Sequence, residues 1–168
     1  LLFFEQAQAD ANIGRRLHLE EGAPVIVIKR LRLSDAVPFC VETSYLPQYR
    51  VPGLVAADVF AAPSLYALLR ERFGMTFATS DFHVSVASAP DIEAELLGLA
   101  PGVGALAMRS TVYDRDGQPA EFLISWNHPD RVAFESLRDD AGPVKSVFTD
   151  WSSPMLSQRN GAMGGRSG

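Results

Sequence analysis

Apolar and polar residues along this chain follow two spacings. The stretch Val25–Leu46, VIVIKRLRLSDAVPFCVETSYL, opens with the β-branched run Val25–Ile28 and continues through Lys29, Arg30, Leu31 and Arg32. It turns at Ser34–Asp35, where Asp35-Ala36 is a weaker turn pair than Asp-Gly, and returns through Phe39–Leu46, which reads as a β-hairpin. A second hairpin is predicted from strands Ala105–Tyr113 and Ala120–Trp126. They flank Asp116-Gly117, a strong turn signal because glycine takes positive φ without steric cost. Pro38 and Pro119 stand where the return strands open, a place that tolerates a missing N–H. Helical spacing appears in Ser64–Phe73, SLYALLRERF, where Leu65, Leu68, Leu69 and Phe73 share a face and Gly74 supplies a stop. A strand Leu2–Gln8 and a short helix Asp10–Leu17 precede the first hairpin. A strand Asp81–Ala87 and a helix opening at Pro90 precede the second.

That order is a repeat. Eighty residues apart, Ala7, Ala9, Leu17, Leu19 and Gly22 fall opposite Ala87, Ala89, Leu97, Leu99 and Gly102, and both copies carry L-x-L-x-x-G. A duplicated strand-helix-strand-strand unit therefore predicts an α+β fold, with six strands and two short helices from the repeat and the Ser64–Phe73 helix between the copies.

Length and composition restrict the function classes. The chain has 168 residues, 47% of them hydrophobic and 21% charged, which is globular and ample for one core. Its net charge of −5 is wrong for gripping nucleic acid, which needs many Lys and Arg contacts to phosphate. Cys40, the single cysteine, leaves no intramolecular disulfide and fits a reducing cytoplasm. Apolar runs are all too short for a membrane span or a signal-peptide core. The chain starts without Met and is expected to be the C-terminal part of a longer protein.

The candidate chemistry lies in the first hairpin. Strand alternation puts Arg30 and Arg32 on one face, and two close guanidiniums repel unless an anion sits between them. Carboxylate or phosphate oxygens suit such forks, although both arginines can equally pair with Glu42 across the hairpin. Ser64, after Pro63, can cap its helix or face an anion together with the free backbone N–H groups. By residue type alone Glu121 reads as an outward-facing strand charge, and Arg109 as one half of a structural pair. His18, His83 and His128 lie in three separate elements without acids or cysteine at ligand spacing, so no metal site is expected. The sequence holds no cofactor-binding motif, no Gly-rich phosphate loop and no G-x-S-x-G.

In order, the motifs are K-R-L-R-x-x-D-x-x-P-x-x-x-E-x-S-Y-L-P, P-S-L-Y-x-L-L, R-x-x-x-Y-D-x-x-G-x-P-x-E and D-R-x-x-F at Asp130–Phe134. Together, over Leu2 to about Phe134, they resemble the UTRA domain, the effector-binding half of HutC-type GntR-family transcription regulators. The resemblance implies a chorismate-lyase-like fold and a small-molecule effector. It also implies homodimers, and an N-terminal winged helix-turn-helix, absent from this chain, that contacts operator DNA. In sugar-phosphate-responsive members the matching residues imply phosphate contacts for Arg30, Arg32 and Ser64 and polar contacts for Glu42 and Glu121. Those members carry a tyrosine where this sequence has Asn127, and His128-Pro129 also departs from their pattern. The expected ligand is thus a small anionic metabolite, sugar phosphate or carboxylate, with Asn127 bearing on its identity. An alternative on the same fold is a chorismate-lyase-like enzyme acting on a carboxylated substrate.

The effector-binding domain is expected over residues 1–141 and a C-terminal extension over 142–168. In the extension, Val144–Trp151 is apolar enough to dock as a last strand or on a partner subunit, and Ser152–Gly168 has too little to bury and is expected to be mobile. The closing GAMGGRSG reads as vector-derived.

Overall fold

A computed structural model of the chain describes residues 1–137 and 145–150, with side chains over residues 1–134. Eight strands and four α-helices are described, in the order β1 (Phe3–Gln8), α1 (Ala11–Leu17), β2 (Pro24–Ser34), β3 (Val37–Pro47), α2 (Ala56–Ala61), α3 (Leu65–Phe73), β4 (Thr79–Ala87), α4 (Asp91–Leu97), β5 (Ala105–Tyr113), β6 (Pro119–Asn127), β7 (Val132–Leu137) and β8 (Lys145–Asp150). A single 3-10 turn, Gln48–Arg50, lies between β3 and α2.

The first six strands form one antiparallel sheet in the order β1-β2-β3-β6-β5-β4. Strands β3 and β6, the return strands of the two hairpins, pair at its centre, with Glu42 opposite Ser125 and Cys40 opposite Asn127. The order reads the same outward from that seam, so the repeat is built as an approximate two-fold. Local geometry repeats as well. Gly22 and Gly102 take φ of 83° and 82°, and Leu19 N–H bonds to Gly14 O as Leu99 N–H bonds to Ala94 O. Left-handed residues end both repeat helices, His18 in one copy and Gly98 in the other.

Alternation along the strands divides the core between the two faces. On one face Leu17 of α1 packs with Val25 and Phe122, partly covered by Ile13, Val27, Tyr45 and Ile124, and α4 crosses β3 on the same side. On the other face Ile26, Ile28 and Leu46 meet Val59 of α2 and Leu65 and Leu69 of α3. The leucine face expected of α3 is therefore the packed one. Leu69 is wholly buried, and truncating such a side chain to alanine costs about 2–5 kcal/mol, whereas Leu68 is only partly buried. Gly74, at φ 64°, stops α3 with its N–H on Arg70 O while Met75 N–H reaches Leu69 O.

The first hairpin turns on Asp35 and Ala36, φ 48° and 65°, the weaker counterpart of Asp116-Gly117, while Ser34 pairs with Val37. Two differences from the sequence reading have local causes. Helix α2 is missed by periodicity, as a six-residue helix with one buried residue, Val59, gives almost no pattern. Strand β7 is also missed. It pairs with β8, which realises the last strand expected within Val144–Trp151. The tail expected to be mobile, Ser152–Gly168, and the proposed boundary at 141–142 lie outside the described residues.

Candidate functional site

Between α3 and the sheet lies a cavity of about 330 Å³, lined by Arg30, Arg32, Phe39, Cys40, Glu42, Ser64, Leu65, Tyr66, Met108, Glu121, Leu123, Ser125 and Asn127. All six residues singled out in the sequence are among them. Alternation explains the convergence. Residues 30 and 32 on β2, 40 and 42 on β3, and 121, 123, 125 and 127 on β6 are even or odd sets that share one face of the sheet. Leu65 and Leu69 then clamp the start of α3 above them, which brings Ser64 and Tyr66 into the wall.

The anion between the two arginines is, in the first place, Glu42 itself. Its Oε1 is in contact with Arg30 Nη2 and lies 3.6 Å from Arg32 Nη1. Of the two readings of the first hairpin, the Arg–Glu pairing is the one these contacts show. Arg30 and Glu42 are largely shielded, with side chains 16% and 14% exposed, while the Arg32 side chain is 47% exposed and remains the available cation. Ser64 caps α3, its Oγ accepting from Ala67 N–H at 3.5 Å.

Glu121 is no outward-facing charge: it is 1% exposed, and the Tyr66 hydroxyl donates to its Oε2 at 2.5 Å. Burial is the main reason its pKa rises above the usual carboxylate range, with Glu42 adding to the rise. The nearby Ser44 hydroxyl, the bond from Tyr66 and the charge of Arg30 pull the other way. Burial and the Glu121 carboxylate likewise raise the Tyr66 phenol. The Cys40 thiol, buried and beside Glu42, is pushed up to about 12, so it stays protonated and unreactive.

Asn127 is also 1% exposed, and its Nδ2 donates to Leu106 O and to Ser125 Oγ, each at 2.9 Å. Arg109 is exposed on β5, one position from Met108 and so on the opposite face from the cavity, without an ion pair among the described residues. His128 is buried outside the cavity wall, where burial lowers its pKa. Among the described residues no three His, Cys, Asp or Glu side chains gather as a metal site requires.

Sequence reasoning passed over Cys40, Leu123 and Ser125 as site residues, and took Tyr66 for core or pocket wall. The signal was present: three of them stand two or four positions from Glu42 or Glu121 on the same strands, and Tyr66 lies two beyond Ser64.

The sequence pattern of the UTRA domain matches residues 1–133, most of the chain. The chain belongs to the UTRA domain family. Among curated proteins, this UTRA domain is 31% identical over 137 residues to the HTH-type transcriptional repressor PhnF of Mycolicibacterium smegmatis, covering 82% of this chain and 55% of that protein. It is 28% identical to the HTH-type transcriptional regulator Rv0792c of Mycobacterium tuberculosis, over 80% of this chain and 49% of the relative. The chain thus spans about half the length of the curated relatives it matches. Among solved structures, the effector domain of PhnF from Mycobacterium smegmatis superimposes with a TM-score of 0.74 at 28% identity, over 83% of this chain and 85% of that one. The ligand-binding domain of a Bordetella bronchiseptica protein assigned to the GntR-family regulators gives 0.78 at 25%, over 82% and 88%. The chorismate-lyase-like α+β fold implied by the resemblance is the fold of this UTRA domain, a ligand-binding domain of GntR-family transcription regulators.

Proposed function

We propose that this UTRA domain, residues 1–141 with an extension over 142–168, senses a small anionic metabolite, a sugar phosphate or a carboxylate. Arg32 and Ser64 receive the anionic group, Arg30 supports them, and Glu42, Glu121 and Asn127 contact the rest of the ligand. The observation that carries this reading is the convergence of these six residues on one cavity of small-molecule size. Binding shifts the operator affinity of a winged helix-turn-helix in a cytoplasmic, homodimeric HutC-type regulator of the GntR family. Repression is the favoured sign, because PhnF, a relative, is named a repressor. The domain acts by binding and not by turnover, in keeping with relatives that are named transcriptional regulators.

The test is calorimetric titration and thermal melting of the purified chain against sugar phosphates, phosphonates and small carboxylates. A ligand selective for the native state raises the melting temperature by mass action. Arg32→Ala removes charge-assisted hydrogen bonds of about 1.5–3 kcal/mol each, so it should weaken binding about tenfold to about a hundredfold. Binding that is indifferent to Arg32→Ala would place the anion elsewhere.

A further inference from the structure

The two ends of the cavity offer a ligand different things. Toward the exposed side stand the Arg32 guanidinium and the start of α3. Toward the sheet centre stands Asn127, buried between β3 and β5 in the register Cys40–Asn127–Leu106.

The orientation of the Asn127 amide is fixed by its neighbours. Its Nδ2 donates to the Leu106 carbonyl, which can only accept, so a flipped amide would set two oxygens against each other. Its second N–H goes to Ser125 Oγ. Both donors are therefore spent, and Oδ1 is left buried with no protein partner among the described residues. Buried acceptors are nearly always paired. A second buried atom of the wall, Arg30 Nε, is unpaired too, while Arg30 Nη2 is taken by Glu42 and the Tyr66 hydroxyl by Glu121. A ligand O–H or N–H that donates to Oδ1 supplies the partner the protein does not. An alkyl end leaves Oδ1 unpaired.

We infer that Asn127 is a specificity-determining residue that acts as a hydrogen-bond acceptor alone, selecting anions whose far end carries a hydrogen-bond donor such as a hydroxyl. The inference rests on the anion-sensing reading above. It adds what that reading lacks, namely which of the amide's three hydrogen-bonding positions the ligand meets.

The experiment titrates the purified chain with two series of matched length, n-alkyl phosphates and ω-hydroxyalkyl phosphates of about two to five carbons, so that one length reaches Oδ1 from the arginine end. At that length the hydroxylated probe should bind roughly tenfold tighter, the scale of one hydrogen bond to an otherwise unpaired group. The difference should vanish in Asn127→Leu, checked for folding by its melt. The comparison on the unaltered chain stands whether or not that variant folds. Equal binding of both series at every length, with binding still dependent on Arg32, overturns this inference and leaves the anion reading intact. A hydroxyl preference that persists in folded Asn127→Leu also overturns it. Failure of both series to bind, or binding indifferent to Arg32→Ala, overturns the anion reading and this inference with it.

Discussion

Glu121 shows how much a single side chain owes to its surroundings. A glutamate two residues into a return strand is an ordinary surface charge by composition. Here it is sealed beneath Tyr66 with Glu42 nearby, and its pKa rises from an ordinary value of 4.5. The folded protein then keeps this proton to higher pH than the unfolded chain does. Stability from this group is complete below about pH 4.5 and is lost as pH rises through the displaced value. A glutamine side chain mimics the protonated acid and still accepts from Tyr66, so Glu121→Gln should gain stability relative to the parent as pH rises. Urea melts in steps from about pH 5 to 8 measure that difference. His128, lowered from 6.5, contributes the opposite slope, but it is common to both proteins and cancels in the comparison. A constant gap between the two proteins would mean that Glu121 is ionised throughout. Arg30 is the companion case: as the shielded partner of Glu42 it belongs to the packing as well as the site, which makes Arg32 the cleaner probe of binding.

At the scale of elements, the two hairpins solve the same turn with unequal chemistry. The second uses Asp116-Gly117, with Gly117 at φ 72° and the Asp114 carboxylate accepting from Asp116 and Gln118 N–H. Arg50 also reaches Asp114 at 2.7 Å, tying the 3-10 turn after β3 to this hairpin, and the Gln118 N–H bond, helped by Arg50 and Asp116, holds the Asp114 carboxyl below its ordinary pKa against the opposing cost of burial. The first hairpin places Ala36 at φ 65°, where a Cβ is unfavourable. Glycine there relieves the clash but also gains freedom in the unfolded chain. Ala36→Gly should therefore raise stability by a net of about 0.5–1 kcal/mol, seen as a higher denaturant midpoint at unchanged slope. A midpoint that falls would show that the turn tolerates alanine without strain.

For the whole molecule, the approximate two-fold puts β1 and β4 at the two sheet edges. β1 is the more apolar of these edges at its start: Leu1, Leu2 and Phe3 are 43–45% exposed. Unpaired edges carrying exposed apolar side chains are ready surfaces for association. In the proposed regulator, paired reading heads on operator half-sites would also favour a paired sensor. Light scattering at micromolar concentration should therefore give a homodimer, twice the chain mass of 18.3 kDa, with an interface apolar at its centre. A single species at the chain mass would contradict the dimer. Among the described residues no helix is long and apolar enough to cross a membrane.

The sequence by itself determined the repeat, the six strands of the sheet, three of the four helices and the six candidate residues. The repeat, strands and helices rest on short-range rules: alternation in strands, helical spacing in Ser64–Phe73, and glycines at Gly22, Gly74, Gly102 and Gly117 that permit left-handed backbone, whereas the six candidate residues came together only through the resemblance to the UTRA domain. It did not determine α2 or β7, whose few buried side chains leave almost no period to read. Nor could it decide between an Arg–Glu pair and an anion site. Only the pairing of β3 with β6 sets Glu42 in the same cavity as Ser125 and Asn127, and only the clamping of α3 by Leu65 and Leu69 closes Tyr66 over Glu121. Burial, orphaned hydrogen-bonding atoms and shifted pKa values arise from contacts between residues far apart in the chain, such as Asn127 with Leu106 and Tyr66 with Glu121. Tertiary structure alone brings these into reach, so it alone decided which groups at this site remain available to a ligand.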